Sequence, residues 1–246
     1  MVLKCAFCDL PRRMTREHIW PNGFLRRGDF GVKFSARAGR TFSGDLVVRD
    51  VCEVCNSGPL SRLDAYACEL YDANFSRFPE HLEPVAFTYD YGKMSRWLLK
   101  VAFNSARAQG HSDAELLRPY RSAILASGDC SPILANVYLA LVGPGTLSFS
   151  DGRPDRTIFP KAARSGPVVV PSVRGYQHVS TRMVMINGYF FTLVLSRTPT
   201  MPADEVVDLL RQIPGKPIAL DGYMEMVTTM SANQALAGVR EWPRGR

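Results

Sequence analysis

Long apolar runs are missing from this sequence of 246 residues. The longest, Ile133–Val142 and Tyr189–Leu195, fall short of the roughly 20 residues that a helix needs to cross a bilayer. No apolar segment follows Met1–Lys4, so we expect no secretory leader, no membrane contact and a cytoplasmic location. Repeats and low-complexity segments are also missing. With 46% hydrophobic and 22% charged residues, the composition is typical of a globular protein of one or two domains.

Acidic residues are fewer than basic ones, 23 against 30, which leaves a net charge of +7. Such an excess favours a polyanionic partner but says nothing about the fold. The imbalance is concentrated near the N-terminus, where Leu10–Arg49 contains nine basic and three acidic residues. We therefore expect a basic surface on this part of the chain.

Cysteine is sparse, with six residues in the whole chain. This number argues against a disulfide scaffold in a protein without a secretory leader. Four of the six form two C-x-x-C pairs, Cys5/Cys8 and Cys52/Cys55, a pattern typical of one tetrahedral structural zinc site. The long gap between the pairs does not exclude the site, because the cost of closing a loop grows only logarithmically with its length. A redox pair is the alternative.

The pattern of apolar residues and turns predicts an α+β fold in two parts, residues 1–78 and 79–246. The first part is predicted to contain a strand at 15–20, a helical turn at 21–27, a hairpin of 30–36 with 41–48, and a helix at 57–74. The second part is predicted to alternate strands and helices, at 83–89 (strand), 94–107 and 113–127 (helices), 133–142, 168–170, 179–186 and 189–195 (strands), 200–213 (helix), 218–226 (strand) and 231–239 (helix). Asn187-Gly188 is typical of a tight hairpin turn.

The second part offers few residues that indicate chemistry. The helix around Trp97 carries Arg96, Lys100 and Arg107, which we expect to extend the basic surface. The domain is a candidate for target recognition, regulation, homodimerisation or contact with a partner protein. Cys68 and Cys130 are solitary and are expected to be buried as small hydrophobic residues.

An acid, an imidazole and a carboxamide flank the two cysteine pairs. Glu17 and His18 lie between the pairs, and Asn56 directly follows Cys55. One zinc ion bound by both pairs would bring these segments together. Carboxylate and amide oxygens suit Mg²⁺ or Mn²⁺, and a neutral imidazole can take a proton from water. Since Glu17 and His18 are adjacent on a predicted strand, they share a site only if the strand bends or bulges.

The order C-x-x-C, Glu17-His18-Ile19-Trp20-Pro21, C-x-x-C-Asn56 resembles the zinc-containing HNH endonucleases, over roughly residues 5–75. The resemblance implies a ββα-metal fold, with a hairpin and a helix around one catalytic cation. It implies that His18 is the general base and that Glu17 and Asn56 hold Mg²⁺ or Mn²⁺. Asp64, two helical turns after Asn56, is a further candidate ligand.

The function implied by this resemblance is metal-dependent hydrolysis of phosphodiester bonds, most simply in double-stranded DNA. Phage defence, restriction and mobile elements all fit this activity. The expected nucleic-acid contacts are basic side chains between the cysteine pairs, namely Arg12, Arg13, Arg16, Arg26, Arg27, Lys33, Arg37 and Arg40.

Two alternatives remain open at this point. The family's middle Asn and final His have no clear counterpart here, which favours a catalytically inactive four-cysteine zinc module that binds nucleic acid or a protein. An RNA-cleaving nuclease with the same site is the other alternative.

Overall fold

The structure is a computed structural model that describes residues 3–28, 33–35, 40–42, 46–127, 136–149, 151, 153–168, 179–196, 211, 213, 215–228 and 230–232. Most of the helix predicted at 200–213 and of the one predicted at 231–239 lies outside the described residues, as do Arg37 and Cys130. The described chain is mixed α/β, with a cluster of four cysteines near the N-terminus.

The N-terminal part of the chain is built around one pair of antiparallel strands and the helix that follows them. Its elements are β1 (Met14–His18), α1 (Asn22–Gly28), β2 (Lys33–Ser35), β3 (Arg40–Phe42), β4 (Val47–Cys52), α2 (Glu53–Cys55) and α3 (Ser61–Leu70), with π-helical turns at Asn56–Leu60 and Tyr71–Phe75. The backbone kinks at Gly58, whose φ of −97° and ψ of −105° are not helical. β1 pairs with β4, and β2 pairs with β3.

The rest of the chain places a long helix against an antiparallel sheet. Its elements are β5 (Pro84–Thr88), α4 (Tyr91–Gln109), α5 (Ala114–Leu117), a 3₁₀ turn (Arg118–Tyr120), α6 (Arg121–Leu125), β6 (Asn136–Gly143), β7 (Gly145–Leu147), β8 (Arg156–Ile158), β9 (Ala163–Val168), β10 (Val179–Ile186), β11 (Tyr189–Ser196), β12 (Lys216–Pro217), β13 (Tyr223–Val227) and β14 (Met230–Ser231). The main sheet has the strand order β12-β6-β11-β10-β9, and β14 lies parallel to β6. β13 pairs with β5, and β7 with β8.

Helix α4 lies at the centre of the molecule. Every residue from Met94 to Ala106 is buried. The Asp90 side chain caps its N-terminus by accepting a hydrogen bond from the backbone N–H of Lys93 at 2.9 Å, and Gly110 ends it in the left-handed conformation with a φ of 70°. The helix packs on α3 and β4 on one side and on β9 and β10 on the other. Within the described residues, no helix combines the length and apolar character that crossing a bilayer requires.

The buried side chains form one continuous apolar cluster that includes residues from both parts of the chain, from Cys5 to Met226. Aromatic rings from the two parts pack edge to face. The ring centres of Trp20 and Trp97 of α4 are 6.2 Å apart, and those of Phe7 and Phe103 of α4 are 5.3 Å apart. The boundary between residues 78 and 79 stays a prediction.

Several predicted elements agree with the structure, and others differ in extent or partner. The hairpin of β10 and β11 turns at Asn187-Gly188 as predicted, with Asn187 at a φ of 49°. Residues 47–48 do not belong to the predicted hairpin of 30–36 with 41–48, since they begin β4 and pair with β1. The helix predicted at 113–127, with a kink or offset near Pro119, is interrupted by the 3₁₀ turn Arg118–Tyr120, which contains this proline. The strand predicted at 218–226 begins only at Tyr223.

Candidate zinc centre and the adjoining polar cluster

Four cysteines from two separate segments converge at one point. The ligand atoms of Cys5, Cys8, Cys52 and Cys55 all lie within 4.8 Å of one another. Cys8 Sγ is 3.8 Å from Cys52 Sγ. Sulfurs bound at about 2.3 Å around one tetrahedral zinc ion lie about 3.8 Å apart, so the four side chains fit this metal. The cluster is compatible with zinc, as the sequence predicts.

Backbone hydrogen bonds hold the two cysteine segments together. Ala6 N donates to Asp50 O at 2.8 Å, and Glu53 N donates to Arg13 O at 3.2 Å. Cys52 N donates to Cys5 Sγ at 3.3 Å. N–H groups that point at a sulfur favour the thiolate, which is the form that binds zinc.

The pKa values of Cys5 and Cys55 are shifted in opposite directions. Burial raises the pKa of Cys5, but N–H donors from Cys52, Cys8 and Phe7 outweigh it and lower this pKa to about 7. Burial and the neighbouring cysteine sulfurs raise the pKa of Cys55. A zinc ion would supply the positive charge that keeps all four sulfurs deprotonated.

A bulge in the β1–β4 pair sets the direction of Glu17 and His18. Thr15 pairs with Val51 and Glu17 with Val48, so β4 has one residue more than β1 in this interval. This is the irregularity that the sequence requires if both side chains are to reach one region. Glu17 is 2% exposed and faces α4, while His18 is half-buried at the end of β1.

Glu17 lies in a buried ion cluster with a lysine from α4. Lys100 Nζ is 2.6 Å from Glu17 Oε1 and 2.5 Å from Asp64 Oδ1 of α3. Asn104, one turn further along α4, donates from Nδ2 to the same Glu17 oxygen at 3.4 Å. The Lys100 side chain is fully buried, and that of Asp64 is 22% exposed. We call Glu17, Asp64 and Lys100 the charged trio.

The charged trio holds two carboxylates for one ammonium in a buried setting. Burial raises the pKa of Glu17. The Lys100 ammonium opposes this rise in pKa, and the Asp64 carboxylate adds to it. Burial also raises the pKa of Asp64, and the Lys100 ammonium and the His18 side chain partly offset this effect. The two carboxylates raise the pKa of Lys100 despite its burial. His18 is therefore near enough to Asp64 to act on its charge.

Asn56 connects the second cysteine segment to β1 by hydrogen bonds. Its Nδ2 donates to Thr15 Oγ1 at 2.8 Å and to Arg16 O at 3.0 Å. These bonds place the residue after Cys55 beside the backbone that leads into Glu17 and His18. The structure thus brings Asn56 close to β1 through its amide nitrogen, whereas a cation would bind the amide oxygen.

A catalytic cation held by Glu17 and Asn56 stays a prediction. In the described conformation, Glu17 Oε1 contacts Lys100 and Asn104, and the Asn56 amide nitrogen donates to β1. Among the described residues, the four cysteines are the group that meets the geometry of a metal site.

The predicted basic contacts are only partly described. Arg12, Arg13, Arg16 and Arg26 are exposed, in keeping with a surface role. Arg27 is also exposed, but its Nε is 2.8 Å from Asp72 Oδ1. The side chains of Lys33 and Arg40 lie outside the description, as does all of Arg37.

The basic residues of α4 do not extend this surface, so that expectation is wrong. Lys100 and Arg96 are buried. Arg107 Nη1 is 2.5 Å from Asp50 Oδ2, and its guanidinium lies 4.5 Å from the centre of the Phe103 ring. Lys100 and Arg107 pair with carboxylates of the N-terminal part, and Arg96 donates to the backbone oxygens of Gly92 and Ala126.

Sequence reasoning missed Lys100 and Asn104 as members of the cluster. Arg96, Lys100 and Asn104 recur at intervals of four, which places them on one stripe of the helix. That spacing was the available signal, since a polar stripe on a helix with otherwise apolar residues indicates a buried partner. Asp64 was singled out, and the structure places it beside Lys100.

Comparisons with known proteins name no relative of this chain: no protein-family model, no curated protein and no solved structure matches it.

Proposed function

We propose that the N-terminal part is a zinc-stabilised ββα module that hydrolyses phosphodiester bonds in double-stranded DNA, with His18 as the general base. The observation that carries the proposal is the position of His18. It is half-buried at the end of β1, directly after Glu17, in a β1–β4–α3 unit beside which the four cysteines converge. The order of motifs that resembles HNH endonucleases adds to it.

The reaction that these residues support is a simple hydrolysis. His18 takes a proton from water, and the water oxygen attacks phosphorus. The bond between phosphorus and the 3′ oxygen breaks, and solvent protonates the leaving oxygen. In this proposal, Arg12, Arg13 and Arg16, which are exposed on or next to β1, bind phosphates near His18. The products are a 5′-phosphate and a 3′-hydroxyl.

The test is cleavage of supercoiled plasmid by zinc-loaded protein, with and without Mg²⁺ or Mn²⁺. We expect the wild type to nick the plasmid and His18→Ala to lose at least about 100-fold in rate, the usual contribution of a general base. The matched control is His81→Ala, an exposed histidine outside the module, which should cleave as the wild type does. Thermal unfolding and zinc content should be equal in all three proteins. Cleavage that is equally fast in His18→Ala would refute the role of His18.

A second candidate function is a zinc module that binds nucleic acid without cutting it. The charged trio favours this function, since Lys100 already occupies Glu17. It predicts no cleavage of DNA or RNA by the wild type, and binding to labelled duplexes that weakens with salt and is unchanged in His18→Ala. An RNA substrate in the same assay tests the RNA-cleaving alternative.

A further inference from the structure

We infer that Lys100 is a built-in counter-cation of the proposed site, and that it must leave Glu17 and Asp64 before a divalent cation can bind between them. The described conformation is then a closed state, controlled by a helix outside the N-terminal part. The identification of the site rests on the proposed function, but the exchange of cations does not require catalysis.

The geometry of the charged trio carries the inference. One nitrogen contacts an oxygen of each carboxylate, at 2.6 and 2.5 Å. The two oxygens therefore lie within about 5 Å of each other, and ligands of one Mg²⁺ ion at about 2.1 Å are separated by about 3 to 4 Å. A small movement of Asp64 would allow both to bind one ion. The ammonium shows that both side chains already converge on a positive charge.

The balance of charge favours exchange with a divalent ion. One ammonium leaves the two carboxylates with a net charge of −1. A divalent cation would neutralise both carboxylates at once. Carboxylate oxygens are the ligands that Mg²⁺ and Mn²⁺ prefer.

The position of Asp64 supplies a route for the exchange. Its side chain is 22% exposed, whereas Glu17 and Lys100 are buried. Lysine has a flexible four-carbon stem, so its ammonium can withdraw without movement of the α4 backbone. A cation arriving from solvent would meet Asp64 first.

Binding of Mn²⁺ to zinc-loaded, full-length protein tests the inference directly, with free Mn²⁺ measured by electron paramagnetic resonance. We expect Lys100→Met to bind one Mn²⁺ at least about tenfold more tightly than the wild type. The matched control is Lys93→Met, two turns earlier on α4, where the lysine pairs with Asp90 at 3.1 Å. Its Mn²⁺ affinity should equal that of the wild type. In the double variant Glu17→Gln/Lys100→Met, the gain in Mn²⁺ affinity should disappear, because one of the two carboxylates is gone.

Thermal unfolding keeps the test decisive if Lys100→Met folds poorly without metal. Removal of the ammonium leaves two buried carboxylates unpaired, so the variant should be less stable in metal-free buffer. Added Mn²⁺ should then raise its unfolding midpoint more than that of the wild type. Equal Mn²⁺ affinity in the wild type and Lys100→Met, or an equal or smaller rise of the midpoint, would overturn the inference.

The inference and the proposed function fail in different ways. If Lys100→Met binds Mn²⁺ tightly but neither protein cleaves nucleic acid, the nuclease function is refuted and the cation exchange stands. If the wild type cleaves DNA and Lys100→Met loses activity without any gain in Mn²⁺ affinity, Lys100 supports the reaction itself and the counter-cation role is wrong.

Discussion

At the scale of single residues, buried charges fix how α4 sits between its neighbours. Arg182 of β10 is fully buried, and its Nη1 lies 2.6 Å from Asp113 Oδ2. Its Nη2 donates to Ser105 Oγ of α4 at 3.0 Å, and Ser105 donates in turn to Ser165 O of β9 at 3.0 Å. The ion pair therefore ties the sheet to the segment that follows α4.

Replacement of Asp113 by Ala would leave the Arg182 guanidinium buried without its countercharge. We expect the free energy of unfolding to fall by about 3–5 kcal/mol, measured by urea denaturation of the zinc-loaded protein. The control is Asp151→Ala, because Asp151 pairs with Arg153 on the exposed surface. The urea midpoint of this variant should equal that of the wild type. A midpoint for Asp113→Ala as high as that of the control would show that the pair does not hold the sheet.

At the scale of elements, α4 has two faces with different chemistry. Its apolar side chains complete the hydrophobic core. On its other face, the polar side chains of Lys100, Asn104 and Arg107 contact Glu17, Asp64 and Asp50 of the N-terminal part. The helix therefore both stabilises the β1–β4–α3 unit and determines the charge around Glu17.

The end of α4 depends on a residue that accepts a left-handed backbone. Gly110→Ala should lower the free energy of unfolding by about 1 kcal/mol, because a side chain at a φ of 70° is strained. The matched control is Gly166→Ala in β9, where an added Cβ would meet no atom within 4 Å and the backbone is not left-handed. Its change should stay within about 0.5 kcal/mol in the same urea titration. Equal effects of the two substitutions would argue against the cap.

Local patterns in the sequence predicted α4, the β10–β11 hairpin and the convergence of four cysteines, because each depends on spacing along the chain. They could not predict that β4 pairs with β1, since pairing is decided by the fold as a whole. They also misplaced Lys100. A lysine on a helix normally extends to solvent, and only the packing of α4 on β1 and α3 buries it against two carboxylates.

At the scale of the whole molecule, the residues after 78 are part of the environment of the proposed site. Arg121 of α6 donates to both carboxylate oxygens of Asp9 in the first cysteine segment, at 2.8 and 2.7 Å. Together with the charged trio, this contact links the later helices to the four-cysteine cluster on one side and to Glu17 on the other. Loss of zinc should therefore weaken the packing of α4 and α6 as well as of β1 and β4.

Everything proposed for Glu17, His18 and Asn56 depends on one zinc ion that joins the two cysteine segments. The most direct test is zinc content together with X-ray absorption spectroscopy of the purified protein, with Cys8→Ser and Cys68→Ser as a matched pair. We predict one zinc per chain with four sulfur ligands at about 2.3 Å, loss or weakening of that site in Cys8→Ser, and no change in Cys68→Ser. A zinc-free wild type that remains folded, nitrogen or oxygen among the four ligands, or full zinc retention in Cys8→Ser would contradict the account.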